Sequence, residues 1–183
     1  LSTDISLCFL QLWKKFTGDL SLSMTICKPN HIKLHISPGD KLLALDIGKK
    51  TIGLALSDAK LKIASPVKIM YRTKFTPDMA SLLAFADAQN VGGFVLGWPI
   101  NMDGSLGPRC DSVRDFAHAL LKIRDVPIVF QDERLSTKAV ESAMVDADMT
   151  RAKRAERRDA LAACWILQSC LDYLNDNLIT PES

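Results

Sequence analysis

Histidine is scarce in this 183-residue chain: His31, His35 and His118 are its only three, and His118 lies far from the other two. Its five cysteines (Cys8, Cys27, Cys110, Cys164, Cys170) are scattered, odd in number and contain no C-x-x-C pair. A structural zinc site and a disulfide framework are both excluded by that pattern, which reads as the reduced thiols of a cytoplasmic protein. Long apolar runs are missing too. The longest, Ala160 to Leu167, has eight residues, against the roughly 20 a helix needs to cross a bilayer, so no membrane association is expected. An apolar stretch at Ile5 to Trp13 is followed, not preceded, by Lys14 and Lys15 and has no A-x-A-like cleavage site, which argues against a secretory signal. Net charge is nearly absent as well, with 23 Lys+Arg against 21 Asp+Glu. Bulk charge therefore recruits no polyanion, and such a role would have to come from local clusters. The composition is otherwise globular, with 48% hydrophobic and 24% charged residues, and the length fits one domain with a short extension.

Residues 1–40 read as a poorly specified N-terminal extension, thin in glycine and proline and weak in periodicity. Leu7, Leu10 and Phe16 could line one short amphipathic turn, and Met24 could be a natural internal start. A domain is expected over 41–178, followed by a short tail at 179–183. Its first half reads as strands: Leu42 to Asp46, the turn Gly48-Lys49-Lys50, Thr51 to Ser57, and Ile63 to Met70 kinked at Pro66. Three short strands with tight turns suggest an antiparallel meander. The period then becomes helical at Asp78 to Gln89, with Met79, Leu82, Leu83 and Ala86 on one face, Thr76 as N-cap and Pro77 in the first turn. Gly93 to Leu96 reads as a buried strand, Gly97 to Pro108 as a loop, Ser112 to Arg124 as a helix and Pro127 to Phe130 as a fifth strand. Ser136 can cap a helix to about Val145, and a final helix is expected over roughly Arg158 to Leu178. This order gives an α/β fold: a mixed five-stranded sheet with helices on both faces.

Three acids stand where elements end. Asp46 closes the first strand beside Gly48, a position suited either to a metal or phosphate site or to an Asx-type turn. Asp132 and Glu133, with Arg134, follow the fifth strand. Asp159 heads the run Ala160 to Leu167, which is apolar nearly all round and should be buried; a carboxylate there could also simply serve a helix dipole. If the fold gathers Asp46, the Asp132-Glu133 pair and Asp159 into one cleft, their carboxylates repel unless a cation sits among them, and carboxylate oxygens suit Mg²⁺ or Mn²⁺.

Arg151, Lys153, Arg154, Arg157 and Arg158 place five cations in eight residues, against Glu156 alone. At a helix start they would oppose the macrodipole, so the segment reads either as a loop or as a polyanion contact beside the acids. Lys49, Lys50, Arg109 and Arg134 could extend a phosphate track. Trp98, beside Gly97, could stack a splayed base or cover the core edge.

Four motifs resemble those of the YqgF/RuvX family, and they occur in family order over about residues 41 to 175. Ala44-Leu45-Asp46-Ile47-Gly48-Lys49-Lys50-Thr51-Ile52-Gly53-Leu54-Ala55-Leu56-Ser57-Asp58 resembles its opening motif. Gly97-Trp98-Pro99-Ile100-Asn101-Met102-Asp103-Gly104-Ser105 is similar to its G-x-P-x-N-x-D-G-S loop. Asp132-Glu133-Arg134-Leu135-Ser136-Thr137 and Asp159-Ala160-Leu161-Ala162-Ala163 are similar to its last two motifs. The resemblance implies an RNase H-like fold and a divalent-metal nuclease that matures the 5′ end of pre-16S rRNA; relatives are also described as Holliday-junction resolvase-like. It implies Asp46, Glu133 and Asp159 as the catalytic, metal-binding acids, with Asp132 orienting its motif. The nucleic-acid contacts expected are Lys49, Lys50, Trp98, Asn101, Arg109, Arg134, Arg154, Arg157 and Arg158. The chain departs from the family pattern at Thr51, where a basic residue is frequent, at Trp98, where an aliphatic one is usual, and at Arg158. A monomer or a homodimer fits equally. Two other readings compete. Asp46-x-Gly48…Gly53 also resembles the phosphate motif of actin-like and sugar kinases, but one domain cannot enclose ATP as their two do. A module of the same fold that holds RNA without cutting it would keep the same motifs.

Overall fold

The computed structural model describes residues 26–100, 105–132 and 151–176, with only the backbone for 151–158. Its strands are β1 (Lys41–Ile47), β2 (Thr51–Ser57), β3 (Ala64–Tyr71), β4 (Val91–Trp98) and β5 (Ile128–Asp132); its helices are α1 (Phe75–Ala88), α2 (Pro108–Ile123) and α3 (Arg151–Asp176). The sheet order is β3-β2-β1-β4-β5. β1, β2 and β3 form the antiparallel meander, while β4 runs parallel to β1 and β5 parallel to β4. This is the mixed five-stranded sheet expected from the sequence.

Alternation along the strands sorts the core into two layers. Leu43, Leu45 and Ile47 of β1 join Ile52, Leu54, Phe94 and Leu96 beneath Met79, Leu82, Leu83 and Ala86 of α1 and Val113, Phe116, Ala117 and Leu120 of α2. Leu42 and Ala44 face the other way, with Ala55, Val95 and Val129, and are covered by Ala163, Ile166, Leu167, Cys170, Leu171 and Leu174 of α3. Those α3 positions recur at spacings of three and four, a single apolar stripe. The expectation of a helix buried all round is therefore corrected: Trp165 is 40% and Tyr173 46% exposed on its outer side.

α3 also begins earlier than expected. It starts at Arg151, so the basic segment is helical despite the macrodipole. Asp159 is then the ninth residue of the helix, beyond the turn in which the dipole acts, and the helix-start reading of its carboxylate does not hold. α1 starts at Phe75 after Lys74, without a side-chain cap from Thr76. Asp78 does related work instead, accepting from Thr73 N at 2.7 Å and from Thr73 Oγ1 at 2.8 Å. α2 starts four residues ahead of Ser112, at Pro108, whose fixed φ suits a first helical position.

Within the segment read as extension, Ile26 forms a parallel bridge with Ile128. Pro29–Leu34 is a 3₁₀ helix whose Ile32 is fully buried in the α3 layer. Single bridges and 3₁₀ turns have no long period to read. The expected helix from Ser136 lies outside the described residues.

Candidate active site

β1, β4 and β5 run parallel, so their carboxyl ends share one edge of the sheet, the edge at which ligands bind in open α/β sheets. Asp46 lies there, next to last in β1 and on the α3 side by alternation. In the hairpin register it stands opposite Gly53 of β2. A Cβ on Gly53 would overlap the Asp159 carbonyl, so the bare glycine lets α3 lie directly on β2. Two residues 113 positions apart in the chain are brought together in this way.

The electrostatics register the meeting. The Asp46 pKa is pushed up from 3.8 to about 6, chiefly by burial, then by the Asp159 charge, and is partly drawn back by Arg109. The Asp159 carboxylate, by raising the pKa of Asp46, marks the two as neighbours in an all-oxygen donor set suited to a cation. Among the described residues no His or Cys joins them, and no group of three His, Cys, Asp or Glu assembles. Hard oxygen donors of this kind fit Mg²⁺ or Mn²⁺. Glu133 directly follows Asp132, the last residue of β5, but lies outside the described residues, as do Asn101 and Arg134.

Arg109 reaches the site through its helix. Its neighbour Cys110 is buried and donates Sγ–H to Pro99 O at 3.2 Å, tying the start of α2 to the chain leaving β4. Arg109 itself is exposed, and its charge is felt at Asp46. Lys49 and Lys50 are exposed at the β1–β2 turn. The turn is braced by Arg72, which donates from Nη1 to Gly48 O at 2.7 Å and from its backbone N to Lys50 O at 2.8 Å. Arg154, Arg157 and Arg158 fall in the first two turns of α3, just ahead of Asp159.

Trp98 is a correction. β4 extends to it, and Phe94, Leu96 and Trp98 share one face of the strand. Its side chain is 3% exposed and packs edge-on against Phe130 with centroids 4.8 Å apart. The ring face that a base would need is occupied by the core.

Reading the sequence missed Thr51 and Arg72 as parts of the site. Thr51 Oγ1 donates to Asp159 Oδ2. Ser57, buried at 3% exposure, accepts from Leu42 N at 2.9 Å and donates to Asp58 O at 2.9 Å, fastening β1 to β2. Counting back from the Lys49–Lys50 turn would have paired Asp46 with Gly53 and put Thr51, Gly53, Ala55 and Ser57 on one face. Arg72 carries no comparable signal.

Residues 40–173 match the family model for RuvX, described as Holliday junction resolvase. The chain belongs to the RuvX family. Among curated RuvX relatives, a protein of Paramagnetospirillum magneticum named "Putative pre-16S rRNA nuclease" is 52% identical over 149 residues, 81% of this chain and 96% of its own. One of the same name from Rhodospirillum rubrum is 49% identical over 153 residues, 83% of this chain and 95% of its own. Among solved structures, T. thermophilus RuvC in complex with a Holliday junction substrate overlaps 74% of this chain and 96% of its own with a TM-score of 0.47 and 14% identity. No helix of the described residues is long and apolar enough to cross a membrane.

Proposed function

We propose that this RuvX-family chain is a divalent-metal-dependent nuclease that hydrolyses phosphodiester bonds, and that its substrate is the 5′ region of pre-16S rRNA in the cytoplasm. The observation that carries the reading is the approach of Asp46 and Asp159 at the carboxyl edge of the sheet, close enough for one to raise the other's pKa. Motif and position beside β5 support Glu133 as the third acid. A bound Mg²⁺ or Mn²⁺ supplies an activated water and charge stabilisation for the departing 3′ oxygen. The chain's own residues do the rest. Asp46, Asp159 and Glu133 would hold the cation. Arg109, Lys49 and Lys50, with Arg134, Arg154, Arg157 and Arg158, bind the flanking phosphates and fix the direction of the strand.

The test offers pre-16S rRNA fragments, a four-way DNA junction and single strands to the purified protein, with and without Mn²⁺, beside Asp46→Asn. The expected result is Mn²⁺-dependent cleavage of the rRNA fragment, absent in Asp46→Asn, whose RNA affinity is kept or increased because repulsion falls. Equal cleavage by variant and wild type would remove the catalytic assignment. Preferential cutting of the junction would move the substrate to branched DNA, and tight RNA binding without cutting would make the chain a binding module.

A further inference from the structure

We propose that Thr51 is a positioning residue for the metal site: its hydroxyl fixes the Asp159 carboxylate so that the second oxygen, Oδ1, is presented toward Asp46 and the cation between them. The proposal rests on the nuclease reading above and deepens it.

Thr51 opens β2 and shares its face with Gly53, the residue on which the backbone of Asp159 rests. Helix and strand are in direct contact there, so the hydroxyl meets Asp159 across a gap that the glycine closes. Oγ1 donates to Oδ2. A carboxylate has two equivalent oxygens and turns readily about its terminal torsion; engaging one of them singles out the other. The donor is itself held on several sides. Its β-branched side chain is stiff at χ1. Its carbonyl accepts from Gly48 N at 2.9 Å, and it stands opposite Tyr71 in the β2–β3 ladder. Arg72 clamps both Gly48 O and Lys50 O in the same turn.

The charge balance gives the hydroxyl its use. Asp46 and Asp159 repel while no cation lies between them, and a free Asp159 side chain would relieve that by swinging toward solvent. A neutral hydroxyl resists the swing without cancelling any negative charge, so the full attraction for a divalent cation survives. Partners that orient metal ligands commonly contribute about 10–100-fold in affinity.

Mn²⁺ titration of the full chain, followed by the EPR signal of the free ion, compares wild type with Thr51→Val, which keeps the β-branched shape, and Thr51→Ser, which keeps the hydroxyl. Thr51→Val is expected to weaken Mn²⁺ at least about tenfold and, measured from its own metal-free baseline, to lose most of the Mn²⁺-induced rise in melting temperature. Thr51→Ser is expected to bind close to wild type. If Thr51→Val fails to fold, Thr51→Ala takes its place in the same comparison. Wild-type Mn²⁺ affinity in the variant lacking the hydroxyl, or a Thr51→Ser as weak as Thr51→Val, would overturn the proposal while leaving the nuclease reading intact. A wild-type chain that binds no Mn²⁺ would overturn both, and is distinguishable because the failure appears before any substitution.

Discussion

Asp46 and Gly53 face each other across the β1–β2 hairpin, and it is the residue without a side chain that lets α3 bring Asp159 to the acid. Gly53→Ala is expected to push α3 off β2, because the new methyl would occupy the position of the Asp159 carbonyl. Overpacking of this kind costs about 1–3 kcal/mol or more. Thermal unfolding would show the loss. Mn²⁺ binding should fall further than stability alone accounts for, since the two carboxylates move apart. A Gly53→Ala protein with wild-type melting temperature and Mn²⁺ affinity would show that the close approach does not set the site.

The raised pKa of Asp46 predicts a specific pH dependence for the metal-free protein. Below 3.8 the carboxyl is neutral in folded and unfolded chains alike, so the fold bears no penalty. As pH climbs toward about 6 the unfolded chain ionises first and stability drains away, by at most about 1.4 kcal/mol per pH unit. Above that range the loss is complete. Asp46→Asn lacks this titration, so its melting temperature should overtake that of wild type progressively between about pH 4 and about pH 6 and hold the lead above it. Parallel melting curves for the two across that window would contradict the burial and repulsion assigned to Asp46.

Cation binding requires the ionised carboxylate and so releases a proton. Mn²⁺ affinity of the wild type should therefore fall as pH drops through about 6, well above the range of an ordinary aspartate. Arg109→Ala should move that midpoint upward, because the guanidinium charge now favours ionisation of Asp46. It should also weaken RNA binding. A midpoint that stays in place would separate Arg109 from the acid and leave it only a phosphate-binding role.

Replacing Arg157 and Arg158 together by Ala should weaken RNA binding and flatten its salt dependence, by about 0.7 in the log–log slope for each single-strand phosphate that is no longer neutralised. Filter binding over a range of salt concentrations measures this. An unchanged slope would assign these arginines to solvent.

The five strands, the antiparallel meander and the α1 face were legible in the sequence because apolar runs, tight turns and helical spacing are local signals, as at Leu42 to Asp46 or Met79, Leu82 and Ala86. The start of α3 was not. Five cations against the macrodipole argue for a loop, and the apolar stripe that anchors the helix to the sheet begins only after them. Trp98 was misplaced toward the loop because Gly97 looks like a breaker, although Phe94 and Leu96 already set the inward phase that ends on the indole. Asp46 and Asp159 were legible as motif residues. Thr51 was not, since a hydroxyl at a strand start acquires meaning only once α3 lies on that face.

The bridge from Ile26 to Ile128 has a consequence for solubility. Among the described residues β5 is an outermost strand, and an outermost strand offers unpaired amide and carbonyl groups on which a second molecule can template. With Cys27 N donating to Ile128 O at 3.0 Å, the chain ahead of the 3₁₀ helix blunts the start of that border. Trimming the protein back to Pro29 would uncover it and favour edge-to-edge aggregation.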